Sequence, residues 1–364
     1  MKIQNPSVCI ITLGCKVNQY ESQAISEEFE RNGFAITKNL PEAAVCVINT
    51  CTVTAESDRK ARQVIRRVIA QNPSAFVVAM GCYTQHASDI ILEIDGVDLV
   101  LGNTDKISAV QHAIAALDSS HTRQNAVTSL ENAPFEPMQI SRSERSKAYV
   151  KIQDGCNRHC SYCIIPSIRG CSRSRSIDAI LDEVHTLVAN GYSEIVLLGI
   201  EVTDFQPDIY TLLAELEQID GLERIRLSSL YPSFLTHEFT DNIAKFTKIV
   251  PHFHLSLQSG SDTVLARMNR PYTSAEVEQN VAYLRKKIPH ATFSADFIVA
   301  FPGETDDEFE ATCHHTRNLA LVDAHVFPYS IRPGTPAADM SNHVSDSKKK
   351  SRSATLIALI KSGQ

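Results

Sequence analysis

Short apolar runs alternate, from the start of the chain, with stretches whose apolar residues recur at helical spacing. Residues 8–13 form the first run, and a helix is predicted over about 21–32, where Ile25 and Phe29 share a face. A second run at 43–48 leads into a long helix after Thr54. Its stripe is Ala61, Val64, Ile65 and Val68, and Pro73 ends it. A third run follows at 76–80. Apolar strands separated by amphipathic helices predict a parallel sheet covered by helices, in which the loops leaving the carboxyl ends of the strands carry the site.

The pattern lapses over residues 118–147, which are rich in Ser, Asn and Glu, contain Pro134 and Pro137, and read as a linker. Beyond it, six strand candidates lie near Tyr149, Ile195, Ile225, His254, Phe297 and Val326. Most are separated by helical patterns such as 177–189 and 275–287. Repeated βα units predict a barrel-like parallel sheet, and six units instead of eight predict a partial one. The chain turns polar after Pro336, and 345–360 carries a last helical pattern. The expected organisation is α/β throughout: an N-terminal parallel-sheet domain over 1–117, a linker over 118–147, a partial (β/α)6 TIM-like barrel over 148–336, and a C-terminal tail helix within 337–364.

Composition narrows the chemistry. A chain of 364 residues with 43% hydrophobic content exceeds what one compact core uses, in keeping with two domains. No apolar run approaches the roughly 20 residues of a membrane span, and the N-terminus lacks the basic start and small-residue cleavage site of a signal peptide. A soluble cytoplasmic protein with no membrane partner is expected. In that setting ten cysteines point to thiols used for metal binding or catalysis and not to disulfides. The formal net charge of −7 gives no broad basic footprint, so any nucleic-acid contact must come from local patches.

Two cysteine sets stand out. Cys156, Cys160 and Cys163 form a CxxxCxxC array in QDGCNRHCSYC, just after the first strand of the second domain. Three soft thiolates can hold three irons of a 4Fe-4S cluster and leave the fourth iron open. An open iron can take the amino and carboxylate groups of S-adenosylmethionine, beside a cluster able to supply the electron that cleaves its carbon–sulfur bond. A structural zinc knot or an electron-transfer cluster would want a fourth ligand close by, for which Cys171 is the nearby candidate. Tyr162 either offers its ring to the adenine or simply packs. The second set, Cys15, Cys51 and Cys82, is dispersed, yet each cysteine follows an apolar strand, in IITLGC, VCVINTC and VVAMGC. Thiolates converging from three strand ends can bind a second cluster, and Gly14 and Gly81 suit tight turns there. Cys9, Cys46 and Cys313 read as small buried residues.

These stretches resemble the methylthiotransferase family of radical S-adenosylmethionine enzymes over nearly the whole chain. LGCKVNQYES, INTCTVTAESDRKARQ, MGCYTQ, VKIQDGCNRHCSYCIIP, HLSLQSGSDTVLARMNRPYT, DFIVAFPGETDDEF and HVFPYSIRPGTPAA are similar to its signatures and stand in its order. LGCKVNQYES is most similar to the branch acting on threonylcarbamoyladenosine in tRNA. The resemblance implies that the partial barrel is a radical S-adenosylmethionine barrel, with a radical-generating cluster on Cys156, Cys160 and Cys163. It also implies an auxiliary, sulfur-delivering cluster on Cys15, Cys51 and Cys82. The implied reaction converts threonylcarbamoyladenosine next to the anticodon, at tRNA position 37, to its 2-methylthio form. An external electron donor such as a flavodoxin or ferredoxin would serve it, with the sulfur donor left open. Isopentenyladenosine tRNA, a ribosomal protein, or a non-catalytic electron-transfer role are the alternatives. Gln258 and Ser259 in QSGSD and Tyr162 are expected at the S-adenosylmethionine site, and Gly303 in FPGE either allows its close approach or makes an ordinary turn with Pro302. Glu201 either contacts its amino group or is an exposed loop carboxylate, because GIEVTDFQPD departs from the more glycine-rich loop of most relatives. The family commonly ends in a small RNA-binding β-barrel, for which no pattern is seen here. Phosphate contacts are therefore expected from Arg59, Lys60, Arg62, Arg66 and Arg67, and from Arg169, Arg173 and Arg175.

Overall fold

A computed structural model of the protein describes residues 6–118 and 122–362, so residues 119–121 of the expected linker and 363–364 of the tail lie outside the described residues. The first domain runs β1 (Ser7–Thr12), α1 (Lys16–Arg31), β2 (Ala35–Ile36), β3 (Val45–Thr50), α2 (Ala55–Gln71), β4 (Phe76–Gly81), α3 (Cys82–Leu92), β5 (Leu99–Val100), α4 (Ser108–Asp118) and β6 (Gln124–Asn125). Its sheet has the order β2-β1-β3-β4-β5-β6, parallel throughout. Every residue of β3 and β4 is buried, which is why these strands read as unbroken apolar runs. The Thr54 side chain caps α2 by accepting the Ser57 amide, and the expected stripe of Ala61, Val64, Ile65 and Val68 is buried.

Two boundaries differ from the reading of the sequence. Helix α1 starts at Lys16, five residues before the expected Glu21, because Asn18 and Glu21 are buried polar residues that interrupt the apolar period. The stretch read as a linker contributes β6, paired to β5, and its Met138 and Ile140 are buried in the core that the two domains share.

The second domain runs β7 (Ala148–Lys151), β8 (Gln153–Asp154), α5 (Ile165–Arg169), β9 (Arg173–Ser174), α6 (Ile177–Ala189), β10 (Glu194–Leu198), α7 (Ile209–Glu217), β11 (Arg224–Leu227), α8 (His237–Ile243), β12 (His252–Gln258), α9 (Asp262–Arg267), α10 (Ser274–Lys287), β13 (Thr292–Val299), α11 (Asp306–Leu319), β14 (Asp323–Pro328) and α12 (Asp346–Ser362). The six expected strands are β7 and β10 to β14. They form two parallel triplets, β7-β10-β11 and β12-β13-β14, joined by the parallel bridges Ile225–Ile249 and Leu230–Leu255. β7 and β14 are the free edges of an open arc, so the barrel is partial. Helix α12 buries Arg352, Leu356 and Ile360, and it lies against β14 and α11 as the helix of the sixth βα unit. On β12, Phe253, Leu255 and Leu257 are buried, while His252, His254, Ser256 and Gln258 alternate with them on the other face.

A buried ionic cluster pins the domains together. Glu21 of α1 receives Lys106 (2.7 Å) from its own domain, and Lys151 (2.8 Å) and Arg169 (3.0 Å) from the barrel domain. Asp154 binds the same Lys151 (2.7 Å) and Arg169 (3.0 Å). Adjacent cations from both domains hold the Glu21 carboxyl well below the usual range against the cost of burial.

Candidate active site

The CxxxCxxC array occupies the loop that leaves β7 and β8 and returns to β9, which pairs antiparallel with β8. The Cys156 amide donates to the Gly170 carbonyl (3.1 Å), and the Cys163 amide donates to that of Cys160 (3.0 Å). Gly155 has φ +72, and a Cβ there would lie 2.0 Å from the Cys171 carbonyl oxygen, so the loop needs glycine at this point. Burial pushes the Cys156 thiol up to about 11 and the Cys163 thiol up to about 12. Arg270 Nη1 stands 3.6 Å from Cys160 Sγ, and its guanidinium is buried over the rings of Tyr231 (4.0 Å) and Tyr272 (5.1 Å).

Cys15, Cys51 and Cys82 follow β1, β3 and β4, three adjacent strands of one sheet. Gly14 has φ +103, and a Cβ on it would come within 2.8 Å of Cys51 Cβ. Asn18 organises the set. Its Nδ2 donates to the Leu13 (2.8 Å) and Thr50 (2.9 Å) carbonyls, while its Oδ1 accepts Arg169 Nη2 (2.9 Å) and faces Cys15 Sγ (3.6 Å). Burial pushes the Cys51 thiol up to about 11. Burial alone would lower the Arg169 guanidinium, but Cys82, Glu21, Asp154 and Cys15 around it hold it well above its ordinary value.

Both sets suit an iron–sulfur cluster better than a single ion. A tetrahedral zinc with sulfur ligands at about 2.3 Å needs them roughly 3.8 Å apart. Among the described residues, the group of three metal-type donors lying within 4.8 Å of one another is His254, Asp296 and His325, and neither cysteine set meets that spacing. Thiols that burial raises are costly to ionise unless iron supplies the compensating charge, and the donors in each set are three soft sulfurs.

One cavity of about 210 Å³ borders Cys163 and the segment just beyond Cys51. Its walls include Cys163 and Tyr162 from the radical loop, Val53 and Thr54 just beyond Cys51, and Gln258, Asp296, Ile298 and Phe327 from the barrel strands. Val53 and Phe327 are exposed apolar residues in that wall. Tyr162 packs edge-on against Phe301, with ring centroids 6.5 Å apart, and still lines the cavity, so packing and ligand contact are compatible. Gln258 lines it too, from a left-handed backbone of φ +65 at the end of β12.

Three other expected residues sit differently. Ser259 is buried, its hydroxyl bonded to Thr312 (3.2 Å) and accepting the Ser261 amide (3.2 Å). Gly303, at φ +73, has no atom within 4 Å of where a methyl group would stand and donates its amide to the Asn342 carbonyl (2.9 Å), which is a turn role. Glu201 is buried and takes Arg158 Nε at 3.2 Å, so the exposed-carboxylate alternative is overturned; burial pushes its carboxyl above the ordinary value.

The basic residues also divide. Arg59, Lys60, Arg66 and Arg67 are exposed on α2, whereas Arg62 donates to the Tyr83 hydroxyl. Arg169 and Arg175 do not form a phosphate face. Arg169 is fully buried in the ionic cluster, Arg175 is buried against Glu183, and Arg173 is tied to Asp154 at 3.3 Å. Cys171 is an exposed free thiol, and Cys9, Cys46 and Cys313 are buried as expected.

Two site residues escape the sequence reading, Arg270 beside Cys160 and Arg332. The latter reaches from the barrel domain to Thr52 Oγ1 (2.7 Å) and Asp58 Oδ2 (2.8 Å), next to Cys51. Both lie within the signature stretches containing RPYT and IRPG, but sequence does not tell where a guanidinium points.

Residues 150–316 match the radical SAM superfamily and residues 7–102 match the uncharacterized protein family UPF0004. The chain is 40% identical to the threonylcarbamoyladenosine tRNA methylthiotransferase MtaB of Bacillus subtilis, over 97% of this chain and 80% of that protein. It is 36% identical to its counterpart in Thermotoga maritima, over 95% and 80%. A tRNA-2-methylthio-N(6)-dimethylallyladenosine synthase of Pelotomaculum thermopropionicum is 35% identical over 96% and 81%. Among solved structures, the radical S-adenosylmethionine methyltransferase TsrM of Kitasatospora setae superposes with a TM-score of 0.69 at 17% identity, covering 92% of this chain and 75% of that one, which establishes the shared fold. Two three-cysteine sets at strand ends, on an N-terminal parallel sheet and an open six-stranded barrel, and relatives this similar over almost the full chain, place the protein in the radical S-adenosylmethionine methylthiotransferase family, alongside members of its threonylcarbamoyladenosine branch.

Proposed function

We propose that the protein is a cytoplasmic tRNA-modifying enzyme that converts threonylcarbamoyladenosine beside the anticodon to its 2-methylthio derivative. The observation that carries this reading is the single cavity bordered by Cys163 on one side and by Val53, two residues from Cys51, on the other. A base held there would face sulfur delivery and radical generation at once. When loaded, the set of Cys156, Cys160 and Cys163 supplies, with S-adenosylmethionine, the one-electron chemistry that an aromatic C–H bond demands, and the set of Cys15, Cys51 and Cys82 supplies sulfur.

The protein's own residues position and shield. Val53, Tyr162, Ile298 and Phe327 give a purine apolar walls and keep water from the reacting edge. Arg270 places a fixed positive charge against Cys160, and Arg169 lies among Cys15, Cys82 and Glu21, each countering the negative charge that thiolates gather. Glu201, locked to Arg158 at the radical loop, presents a carboxylate suited to the cationic amino group of S-adenosylmethionine. The exposed cations Arg59, Lys60, Arg66 and Arg67 on α2, the helix that starts just after Thr54, suit the RNA backbone. Electrons are assigned to a flavodoxin or ferredoxin.

The test is mass spectrometry of tRNA nucleosides from cells with and without the gene. The 2-methylthio form of threonylcarbamoyladenosine should vanish with the gene and return with the wild type, but not with Cys51→Ala or Cys156→Ala. An unchanged level in the deletion strain would sink the substrate assignment.

A further inference from the structure

Beneath the cavity between Cys163 and Val53, the barrel holds a second chamber of about 380 Å³, and its character is different. Four cations line it: Lys16 from the start of α1, Arg145 and Lys147 from the segment before β7, and Arg226 of β11. Arg226 is shared with Glu194 (2.5 Å). Among the described residues, Lys16, Arg145 and Lys147 take part in no ion pair, and Asp323 is the one carboxylate in the chamber wall. Lys16 and Arg145 reach the chamber from exposed positions, Arg145 also donating to Gln19 Oε1 (3.1 Å) and lying over the Tyr149 ring (5.6 Å), and like charges gathered around one recess repel one another, a cost that an entering anion reduces.

The two chambers are successive levels of one lumen. Alternate residues of a strand point to the same side, and each such step spans roughly 6.6 Å. Phe327 of β14 lines the upper cavity, and His325, one step down, lines the lower. On β12 the pair is Gln258 above and His254 below; on β13 it is Ile298 above and Ser294 below. Between the levels stands Asp296, whose Oδ2 meets His254 Nε2 at 3.0 Å and whose Oδ1 meets His325 Nδ1 at 2.9 Å. Its negative charge is thus covered by two imidazoles, which leaves the lower chamber net cationic.

We propose that the lower chamber receives the carboxylate of the threonylcarbamoyl arm while the upper cavity holds the base, so that Lys16, Arg145 and Lys147 set the choice of substrate. The proposal rests on the tRNA reading above and adds the group by which the modified adenosine is told from others. A dimethylallyl arm is uncharged hydrocarbon; it would bury its methyl groups among unpaired cations and recover nothing for their desolvation. A carboxylate gains charge-assisted hydrogen bonds at the same place.

The test compares anticodon stem-loop RNAs that differ only in this arm: threonylcarbamoyl, its carboxyl amide, and dimethylallyl. Their binding to the cluster-loaded enzyme is read by fluorescence anisotropy, for the wild type and for Lys147→Met, Arg145→Met and Lys147→Arg. The wild type should prefer the acid over the amide by about tenfold, the loss of one charge-assisted contact. Each Met variant should cut that ratio to about threefold or less, and Lys147→Arg should restore most of it, with visible absorption of the clusters reporting that the variants are intact. An acid-to-amide ratio that stays the same in wild type and Met variants overturns the chamber's role while the substrate reading stands. A wild type that binds threonylcarbamoyl RNA no better than dimethylallyl RNA overturns the substrate reading itself.

Discussion

Gly155 and Arg270 serve the same three sulfurs in opposite ways, one by having no side chain and the other by reaching far with a large one. Gly155→Ala combines a left-handed backbone with a Cβ 2.0 Å from a carbonyl oxygen, so the loop carrying Cys156 must move. It should cost about 2 kcal/mol or more in denaturant unfolding and lower the iron held by the barrel domain, while iron on the Cys15 set persists. Cys51→Ala and Cys156→Ala should each leave about half the iron after reconstitution, because the two sets are separate three-thiolate sites; full iron in either variant would contradict the assignment of ligands. At this scale the cysteines were legible, since a thiol array needs only spacing or strand ends to be noticed. Arg270 and Arg332 were not, because an arginine in a loop looks the same whether it meets solvent or a sulfur. Arg169 was misread for the same reason: in RGCSRSR its charge suggested phosphate, and burial against Glu21 and Asp154 gives it an internal task.

Helix ends follow local rules, and at α2 the start after Thr54 and the stop at Pro73 were readable in the sequence. Thr305 caps α11 in a capping box with Glu308, and Glu308 also receives both arms of Arg267 at 2.8 Å. The Arg267 fork is the main reason that the Glu308 carboxyl is held down at about 2, against an ordinary value of 4.5. A depressed carboxyl stabilises the fold above its unfolded value and loses that contribution as pH falls through its folded value. The stability advantage of the wild type over Glu308→Gln should therefore be full above about pH 4.5 and shrink toward pH 2, as followed by urea unfolding of the metal-free protein at a series of pH values. Helix α1 shows where such reading stops. Its first turns bury Asn18 and Glu21, and a pattern search that expects apolar residues on the inner face passes over them. The segment 118–147 escaped likewise, because a two-residue strand and two buried residues, Met138 and Ile140, are too few to set a period.

At the scale of the molecule, the six barrel strands were visible in advance because each is a short run of strand-forming residues, unbroken in β10 and alternating in β12, and most are set apart by helical patterns. The way the two domains lock was not visible, because charged residues read as surface until their partners are known. Glu21→Leu would leave Lys106, Lys151 and Arg169 buried without one of their carboxylates, and should destabilise the protein by about 3–5 kcal/mol. Limited proteolysis should then cut between the domains faster than in the wild type; an unchanged cleavage rate and unfolding midpoint would show that the cluster does not hold them. The open arc has its own consequence. A closed eight-stranded barrel fills its interior with side chains and admits a ligand from one end only. Here β7 and β14 are left as edges, α1 of the first domain packs on β7, and its Lys16 shares the chamber wall with Tyr149 of β7 and His325 of β14. A wall that a closed barrel would build from its own strands is thus supplied by a neighbouring domain, so a change in that one helix can retune the chamber without disturbing the barrel.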